Sequence, residues 1–379
     1  MSNSKDDHDH DHHHHHHHHH HAHPNGVCDC IPKWFIDNLG QVGLPYSKVE
    51  DYAVPPEESY GSLFLPDRIK NGYHIKELND GVYWVSGGWY DCMFVCTGNG
   101  VIAVDAPPSL GERLLDAIAS VTDEPVTHMV YSHWHADHVG AASMFGPNIK
   151  RIAHEKTAEL LTRFPDKYRP VPTETFSKDA TLDVNGVKLD LSYKGQNHSE
   201  GNIFIYAPKQ KVLTAIDILA PGWVAFKDCD SSENITGWID AHDQILDYDF
   251  DAIICGHVSR YGTREDVLTA REYTHDIIRF SREALLEVEL EYFLKELGGT
   301  YKGAFRAAEE NYFSAITNLV TKNVLEVTTS NGQRWAERLN GADVMTKNNA
   351  YTMIQKIRLE QSHNGYVQRD GHHPEGFFL

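Results

Sequence analysis

The chain has a shortage of basic residues, few cysteines and no long apolar run. Its 379 residues include 34 lysines and arginines against 54 aspartates and glutamates, which gives a formal net charge of -20. A negative surplus of this size repels polyanions, so no nucleic acid partner is expected. Six cysteines are too few for a disulfide scaffold in a chain of this length. Without an apolar stretch of about 18 residues, no membrane-spanning helix is expected.

Residues 1–26 lack the apolar centre of a secretory signal, so the numbered chain is expected to be cytoplasmic unless a leader has been removed. The same residues are rich in histidine, with ten consecutive histidines from His12 to His21. A purification tag and a natural zinc- or nickel-capturing tail explain this run equally well. In both cases the segment is predicted to be disordered.

The most informative feature present is a group of metal-competent side chains within six residues, directly after the apolar run 126–131. They are His133, His135, Asp137 and His138. Three imidazoles and one carboxylate at this density suit one or two zinc-class ions. A packing role does not explain them, because buried ionisable groups without partners are costly.

Three further candidate ligands each follow or end a strand-like run. They are His198 in a polar, glycine-flanked loop, Asp217 after 212–216, and His257 after 253–256. Loops at strand ends are where a scaffold presents functional groups. Each residue alone also fits an ordinary surface, turn or capping role. Together with the upstream group, they predict one shared metal site.

Strand-like runs occur in two blocks, 73–105 and 181–218, and each block is followed by helical periodicity. This order favours two packed sheets with helices outside, although a doubly wound sheet also fits it. Ser109 to Glu112 predicts a helix start with a capping box. A long helix is predicted from Thr263 to the glycine pair at 298–299, and further helices follow near 305–325 and 342–359.

The run His133-Trp134-His135-Ala136-Asp137-His138 resembles the signature of the metallo-β-lactamase superfamily, and the resemblance extends over about residues 72–262. It implies an α/β fold, an αββα sandwich, with metals at one edge between the sheets. By position it implies a first metal at His133, His135 and His198, a second at Asp137, His138 and His257, and a bridging Asp217. Asp105 would then brace the histidine loop.

The predicted organisation has four parts. They are a disordered histidine-rich tail (1–26), an N-terminal arm (27–71), a metallo-β-lactamase-like domain (72–262) and a helical C-terminal extension (263–379). The extension is interpreted as a lid, a surface for homo-oligomer formation, or an outer packing layer.

The resemblance implies a dinuclear zinc-dependent hydrolase, although other divalent metals such as Fe or Mn suit the same ligands. A metal-bound hydroxide would attack an ester, lactone or amide bond of a small, partly apolar substrate. Asp137 would orient the nucleophile and carry a proton. Ala220 stands where many lactamases have Lys and many homoserine lactonases have Tyr, so neither subfamily is favoured.

Aromatic side chains near the motifs are the candidates for the substrate pocket, although two or three of them are expected to be ordinary core residues. The candidates are Trp89, Tyr90, Trp134, Trp223 and Phe226. Arg260 is expected either to contact a substrate carboxylate or to cap the following helix.

Two alternatives come from other functional classes. The first is an iron-dependent persulfide dioxygenase, whose branch uses only two histidines and the aspartate, so a full set of seven ligands argues against it. The second is a non-enzymatic protein that buffers metal through its histidine tail. Metal analysis separates the first from a hydrolase, and deletion of residues 1–26 separates the second.

Overall fold

The computed structural model describes residues 51–61, 68–258, 260–296 and 304–361. Of its two units, Met1–Asp51 contains a single described residue, so the fold below is that of Tyr52–Leu379. The predictions for the histidine-rich tail and for most of the N-terminal arm lie outside the described residues.

The first sheet has seven strands in sequential order, and it changes from antiparallel to parallel pairing at its centre. β1 to β4 pair antiparallel, because short glycine turns such as 98–100 connect them. β4 to β7 pair parallel, because longer crossovers connect them. The strands are β1 His74–Asn79, β2 Val82–Ser86, β3 Asp91–Cys96, β4 Val101–Val104, β5 Val126–Val130, β6 Lys150–His154 and β7 Glu174–Phe176.

The second sheet has five strands in the order β12-β11-β10-β9-β8. Its pairs are antiparallel except for β11 with β12, which are parallel and are joined by a helical crossover. The strands are β8 Asp179–Val184, β9 Val187–Ser192, β10 Phe204–Ala207, β11 Val212–Thr214 and β12 Ala252–Ile254.

One short helix precedes the first strand, and the other helices lie between the strands and, above all, after the last strand. They are α1 Glu57–Tyr60, α2 Arg113–Ala119, α3 Ala136–Val139, α4 Glu155–Arg163, α5 Ile235–Leu246, α6 Arg264–Glu287, α7 Leu290–Glu296, α8 Phe305–Glu326, α9 Trp335–Arg338 and α10 Ala342–Glu360. None of the described helices is long and apolar enough to cross a membrane.

Three apolar layers hold these elements together. Inward-facing residues of both sheets, such as Val104 and Ile205, form the layer between the sheets. The outer face of the first sheet packs on α2 through Phe94 and Leu114. The second sheet packs on α5, α6, α8 and α10 in one continuous cluster. The predicted αββα sandwich with a C-terminal helical region is therefore confirmed.

Two local predictions were wrong. α2 begins at Arg113 without a side-chain cap, because Gly111 adopts a positive φ of 53° and interrupts the expected first turn. The long helix ends at Glu287, where Val288 becomes extended and allows Leu290 to be buried. Its start is as predicted, since Thr263 and Asp266 form a capping box. The boundary at 262 between domain and extension stays a prediction.

Candidate metal centre

The histidine loop leaves β5 and enters the short helix α3, and Asp105 at the end of β4 supports it. Asp105 Oδ1 accepts a hydrogen bond from the Ser132 backbone N–H at 2.7 Å. Ser132 Oγ in turn lies 2.9 Å from His133 Nδ1. Asp105 is buried, and burial raises its pKa to about 6. It therefore holds the residue before His133, as expected of a bracing residue.

The structure brings all seven predicted ligands together in two groups. Within each group, one nitrogen or oxygen atom from each residue lies within 4.8 Å of the others. The groups are His133, His135, His198 with Asp217, and Asp137, His138, His257 with Asp217. Asp217 thus belongs to both, at the place that the sequence predicted for a bridging residue. That these residues hold metal stays a prediction.

Asp217 is the electrostatic centre of this arrangement. Its Oδ2 lies 3.0 Å from His138 Nε2 and 3.1 Å from His198 Nε2, and its Oδ1 lies 2.9 Å from His257 Nε2. Burial alone would raise the pKa of Asp217, but the histidines around it hold the pKa well below its usual range. Burial opposes the charged form of His257 too, yet Asp217 raises the pKa of His257 to about 9.

The donor set fits a divalent cation. His135 Nδ1 faces His198 Nε2 at 3.0 Å, and His138 Nε2 faces His257 Nε2 at 3.1 Å. Such nitrogens repel one another unless a proton or a metal lies between them. His133 Nε2 is also buried without a hydrogen-bond partner. Imidazole nitrogens and carboxylate oxygens are the ligands that zinc-class ions prefer. The fold and these clusters indicate a divalent metal site.

Two of the predicted pocket aromatics lie beside the second group. Tyr90 pairs with His257 as an isolated β-bridge, and its ring centroid is 4.6 Å from that of His257. Burial and the nearby Asp137 raise the pKa of Tyr90 to about 12. Trp89 precedes it, and its carbonyl accepts a hydrogen bond from the Val258 N–H. The Trp89 side chain is 62% exposed.

Two other aromatics lie beside the first group. The Trp134 ring centroid is 5.6 Å from that of His135. The Trp134 ring also stacks on the Phe164 ring, with 5.9 Å between centroids. Phe226 is 57% exposed, and its N–H donates to Asp230, whose backbone carbonyl contacts His198. Tyr90 and Trp134 therefore lie against histidine rings of the two groups, whereas Trp89 and Phe226 present apolar surface to solvent.

Trp223 and Arg260 instead contact the segment 57–61. Trp223 Nε1 donates to the Tyr60 carbonyl at 3.1 Å. Arg260 donates to the Ser59 carbonyl and pairs with Asp266 through two nitrogens at 2.7 and 2.8 Å. Arg260 thus contacts the start of α6, and its expected contact with a substrate carboxylate stays a prediction.

Sequence reasoning missed two residues that support His198. Asp230 accepts the hydrogen bond from His198 Nδ1 at 2.8 Å. Gly237 lets α5 approach the His198 loop so closely that a Cβ there would lie 1.7 Å from the Gln196 carbonyl oxygen. No pattern in the sequence marks either residue, because both contacts join segments that are distant in the chain.

Residues 90–257 match the model of the family described as the Metallo-beta-lactamase superfamily. The matched residues include all seven clustered ligands. Residues 90–257 belong to this superfamily.

Curated relatives are similar to about half of the chain. A 2,4-dinitroanisole O-demethylase subunit alpha from Nocardioides sp. (strain JS1661) is 29% identical over 195 residues, which are 48% of this chain and 57% of that protein. A Metallo-beta-lactamase type 2 from Bacteroides fragilis is 24% identical over 190 residues, covering 47% of this chain and 75% of the relative. The chain thus spans little more than half the length of the first of these relatives.

Solved structures are similar over about half of the chain. A metallo-beta-lactamase from Pontibacter korlensis is 20% identical with a TM-score of 0.46, covering 52% of this chain and 97% of that chain. The metallo-beta-lactamase IND-7 is 21% identical with a TM-score of 0.46, covering 54% and 99%.

Proposed function

We propose that the protein is a dinuclear zinc-dependent hydrolase that acts on an ester, lactone or amide bond of a small, partly apolar substrate. The observation that carries this proposal is the position of Asp217, which is shared by two groups of three further ligands. One shared carboxylate between two such groups suits a pair of divalent ions better than a single ion. Iron and manganese suit the same donors, so zinc itself is part of the proposal.

Two bound ions would supply Lewis acidity, which lowers the pKa of a water and neutralises charge on a substrate oxygen. The chain's residues would divide the remaining work. His133 and His138 are fully buried and would only hold metal, whereas the Asp137 side chain is 42% exposed. Asp137 is therefore a carboxylate that substrate and solvent can reach, and we assign it the transfer of a proton to the leaving group.

The border of the site supports a partly apolar substrate. Trp89 and Phe226 present exposed aromatic surface. Trp89 precedes Tyr90, whose ring lies beside His257. The Phe226 N–H donates to Asp230, whose carbonyl contacts His198. Exposed aromatic side chains beside a polar centre are typical of small-molecule sites. Arg260, the charged candidate for substrate contact, is paired with Asp266.

Metal analysis and a matched pair of variants test this proposal. A variant without residues 1–26 should retain about two zinc ions per chain. Asp217→Asn in that background should lose at least one ion and its hydrolytic activity, whereas Asp123→Asn, a change of the same kind away from the ligands, should lose neither. One iron per chain would favour the persulfide dioxygenase, and loss of nearly all metal with the tail would favour a buffering role.

A second candidate is cleavage of an aryl methyl ether. The observation that favours it is the 29% identity with the 2,4-dinitroanisole O-demethylase subunit alpha. A screen should therefore contain 2,4-dinitroanisole beside chromogenic β-lactams, lactones, thioesters and aryl esters. Turnover of the ether alone would select this second function. A cytoplasmic location and self-association through the C-terminal helices stay predictions.

A further inference from the structure

A strained turn lies between the sandwich and the C-terminal helices. Four consecutive residues that are not glycine adopt left-handed backbone conformations. They are Asp228, Cys229, Asp230 and Ser231, with φ of 60°, 50°, 59° and 54°. Left-handed conformations of L-residues are normally single and unfavourable, so a run of four persists only where the surroundings hold it.

The side chains that hold this turn come from α10. Asn348 Oδ1 accepts a hydrogen bond from the Asp228 N–H at 2.6 Å, and Asn349 Oδ1 accepts one from the Cys229 N–H at 2.9 Å. Asn349 Nδ2 also donates to the Ala225 carbonyl at 2.8 Å, and Asn349 is fully buried. These two asparagines therefore satisfy backbone groups of Ala225, Asp228 and Cys229, where the chain enters the turn.

A third side chain of α10 contacts the turn. Thr352 Oγ1 donates to Asp228 Oδ1 at 2.7 Å. This contact involves a different atom of Asp228 from the one that Asn348 binds, so the two can be removed separately.

The other side of the turn contacts a proposed metal ligand. The Asp230 carbonyl accepts a hydrogen bond from His198 Nδ1 at 2.8 Å. A proton on Nδ1 leaves the lone pair of His198 on Nε2, which lies 3.1 Å from Asp217 Oδ2. Ligand histidines usually donate their second ring nitrogen in this way, which fixes the tautomer and the ring orientation.

We propose that Asn348 and Asn349 are positioning residues for His198, acting through the left-handed turn. The inference rests on the proposed function, because it takes His198 to be a metal ligand. It assigns the C-terminal helical region a part in the metal centre: α10 holds the turn, and the turn orients the imidazole. A lid would not need polar side chains directed at the backbone beneath it.

The first test uses the metal-free protein, so it does not depend on metal binding. In protein with ¹⁵N-labelled histidine, the Nδ1–H of His198 should give a slowly exchanging ring signal, assigned by its loss in His198→Gln. Asn348→Ala should speed the exchange of this proton at least tenfold. Asn348→Asp keeps an acceptor oxygen and should restore it. Lys347→Ala, an exposed neighbour on the same helix, should leave it unchanged.

The second test uses zinc and cobalt alone. Competition with a chromophoric chelator should show about tenfold weaker binding of one zinc ion in Asn348→Ala, the usual effect of losing support behind a ligand. The other ion should bind as before. The cobalt-loaded protein should show an altered d–d spectrum in Asn348→Ala and the wild-type spectrum in Asn348→Asp. Thr352→Val should act in the same direction as Asn348→Ala.

The outcomes separate the two proposals. Unchanged proton exchange in folded Asn348→Ala and Thr352→Val would overturn the positioning role, whatever the metal results are. If the wild-type protein binds no metal but Asn348→Ala still speeds the proton exchange, the proposed function is overturned. The link from α10 through the turn to His198 is then supported. Failure of Asn348→Asp to restore the signal would also count against the positioning role.

Discussion

Gly237→Ala should displace the His198 loop, although alanine is the better helix former. A Cβ at position 237 would lie 1.7 Å from the Gln196 carbonyl oxygen and 2.9 Å from its carbonyl carbon. Reaching ordinary contact requires the loop and α5 to separate by about 1.5 Å, since carbon and oxygen atoms rarely approach closer than about 3.2 Å. Both atoms belong to backbone, so no side chain can rotate away.

The separation would weaken two hydrogen bonds that join the loop to the start of α5. They are Glu233 N–H to the His198 carbonyl at 2.9 Å and Asn234 N–H to the Asn197 carbonyl at 3.0 Å. Overpacking costs about 1–3 kcal/mol and each lost hydrogen bond about 1 kcal/mol, against a gain of about 1 kcal/mol in helix propensity. The free energy of unfolding should therefore fall by about 2–4 kcal/mol.

Urea unfolding of the metal-free protein measures this change, and zinc competition measures the displacement of His198. Zinc binding should weaken at least tenfold, as expected when a ligand is moved. Asp240→Ala, an exposed position on the same helix, is the control and should change neither quantity by much. If Gly237→Ala has the same free energy of unfolding and the same zinc affinity as the wild type, the argument is refuted.

Three further predictions concern other parts of the chain. Burial lowers the pKa of His242 to about 4 from 6.5, so the unfolded state takes up a proton before the folded state as the pH falls. The free energy of unfolding should therefore drop by up to about 3 kcal/mol between pH 6.5 and 4. Urea titrations of His242→Gln should lack this component. Asp266→Ala removes both the cap of α6 and the partner of Arg260 and should cost about 2–3 kcal/mol in thermal or urea unfolding, with zinc content unchanged. Asp137→Asn should keep the fold by circular dichroism and reduce kcat at least a hundredfold; near-full activity would remove Asp137 from the mechanism.

The part of the site that was easiest to predict is the one where metal-competent side chains lie close together in the sequence. His133, His135, Asp137 and His138 lie within six residues, and such a group is visible without any knowledge of tertiary contacts. His198, Asp217 and His257 were predicted because each lies at or just after the end of a strand-like run, where a scaffold presents functional groups. The strand order favoured two packed sheets without excluding a doubly wound sheet, and the resemblance to the superfamily implied the sandwich. The interruptions at Gly111 and Val288 were not predicted, because local patterns carry little information on where a helix stops.

The support behind the site could not be predicted. Gly237 is an ordinary helix glycine until the carbonyl of Gln196 is placed against it. Asn348 and Asn349 lie on a helix whose sequence gives no sign of a role at the metal centre. Arg260 had two interpretations of equal weight, and its contacts with Asp266 and Ser59 are visible only in the tertiary structure.

The sequence by itself predicted which residues cluster, the sandwich fold and a divalent metal site, because metal ligands must be particular residue types and strands must alternate or be wholly apolar. Only the tertiary structure decided which distant segments form hydrogen bonds behind the clustered residues. Those contacts depend on hydrogen-bond distances between segments far apart in the chain, as between His198 and Asp230 and between Asp228 and Asn348. Hydrogen bonds and steric exclusion act only at such distances, and residue type alone does not encode them.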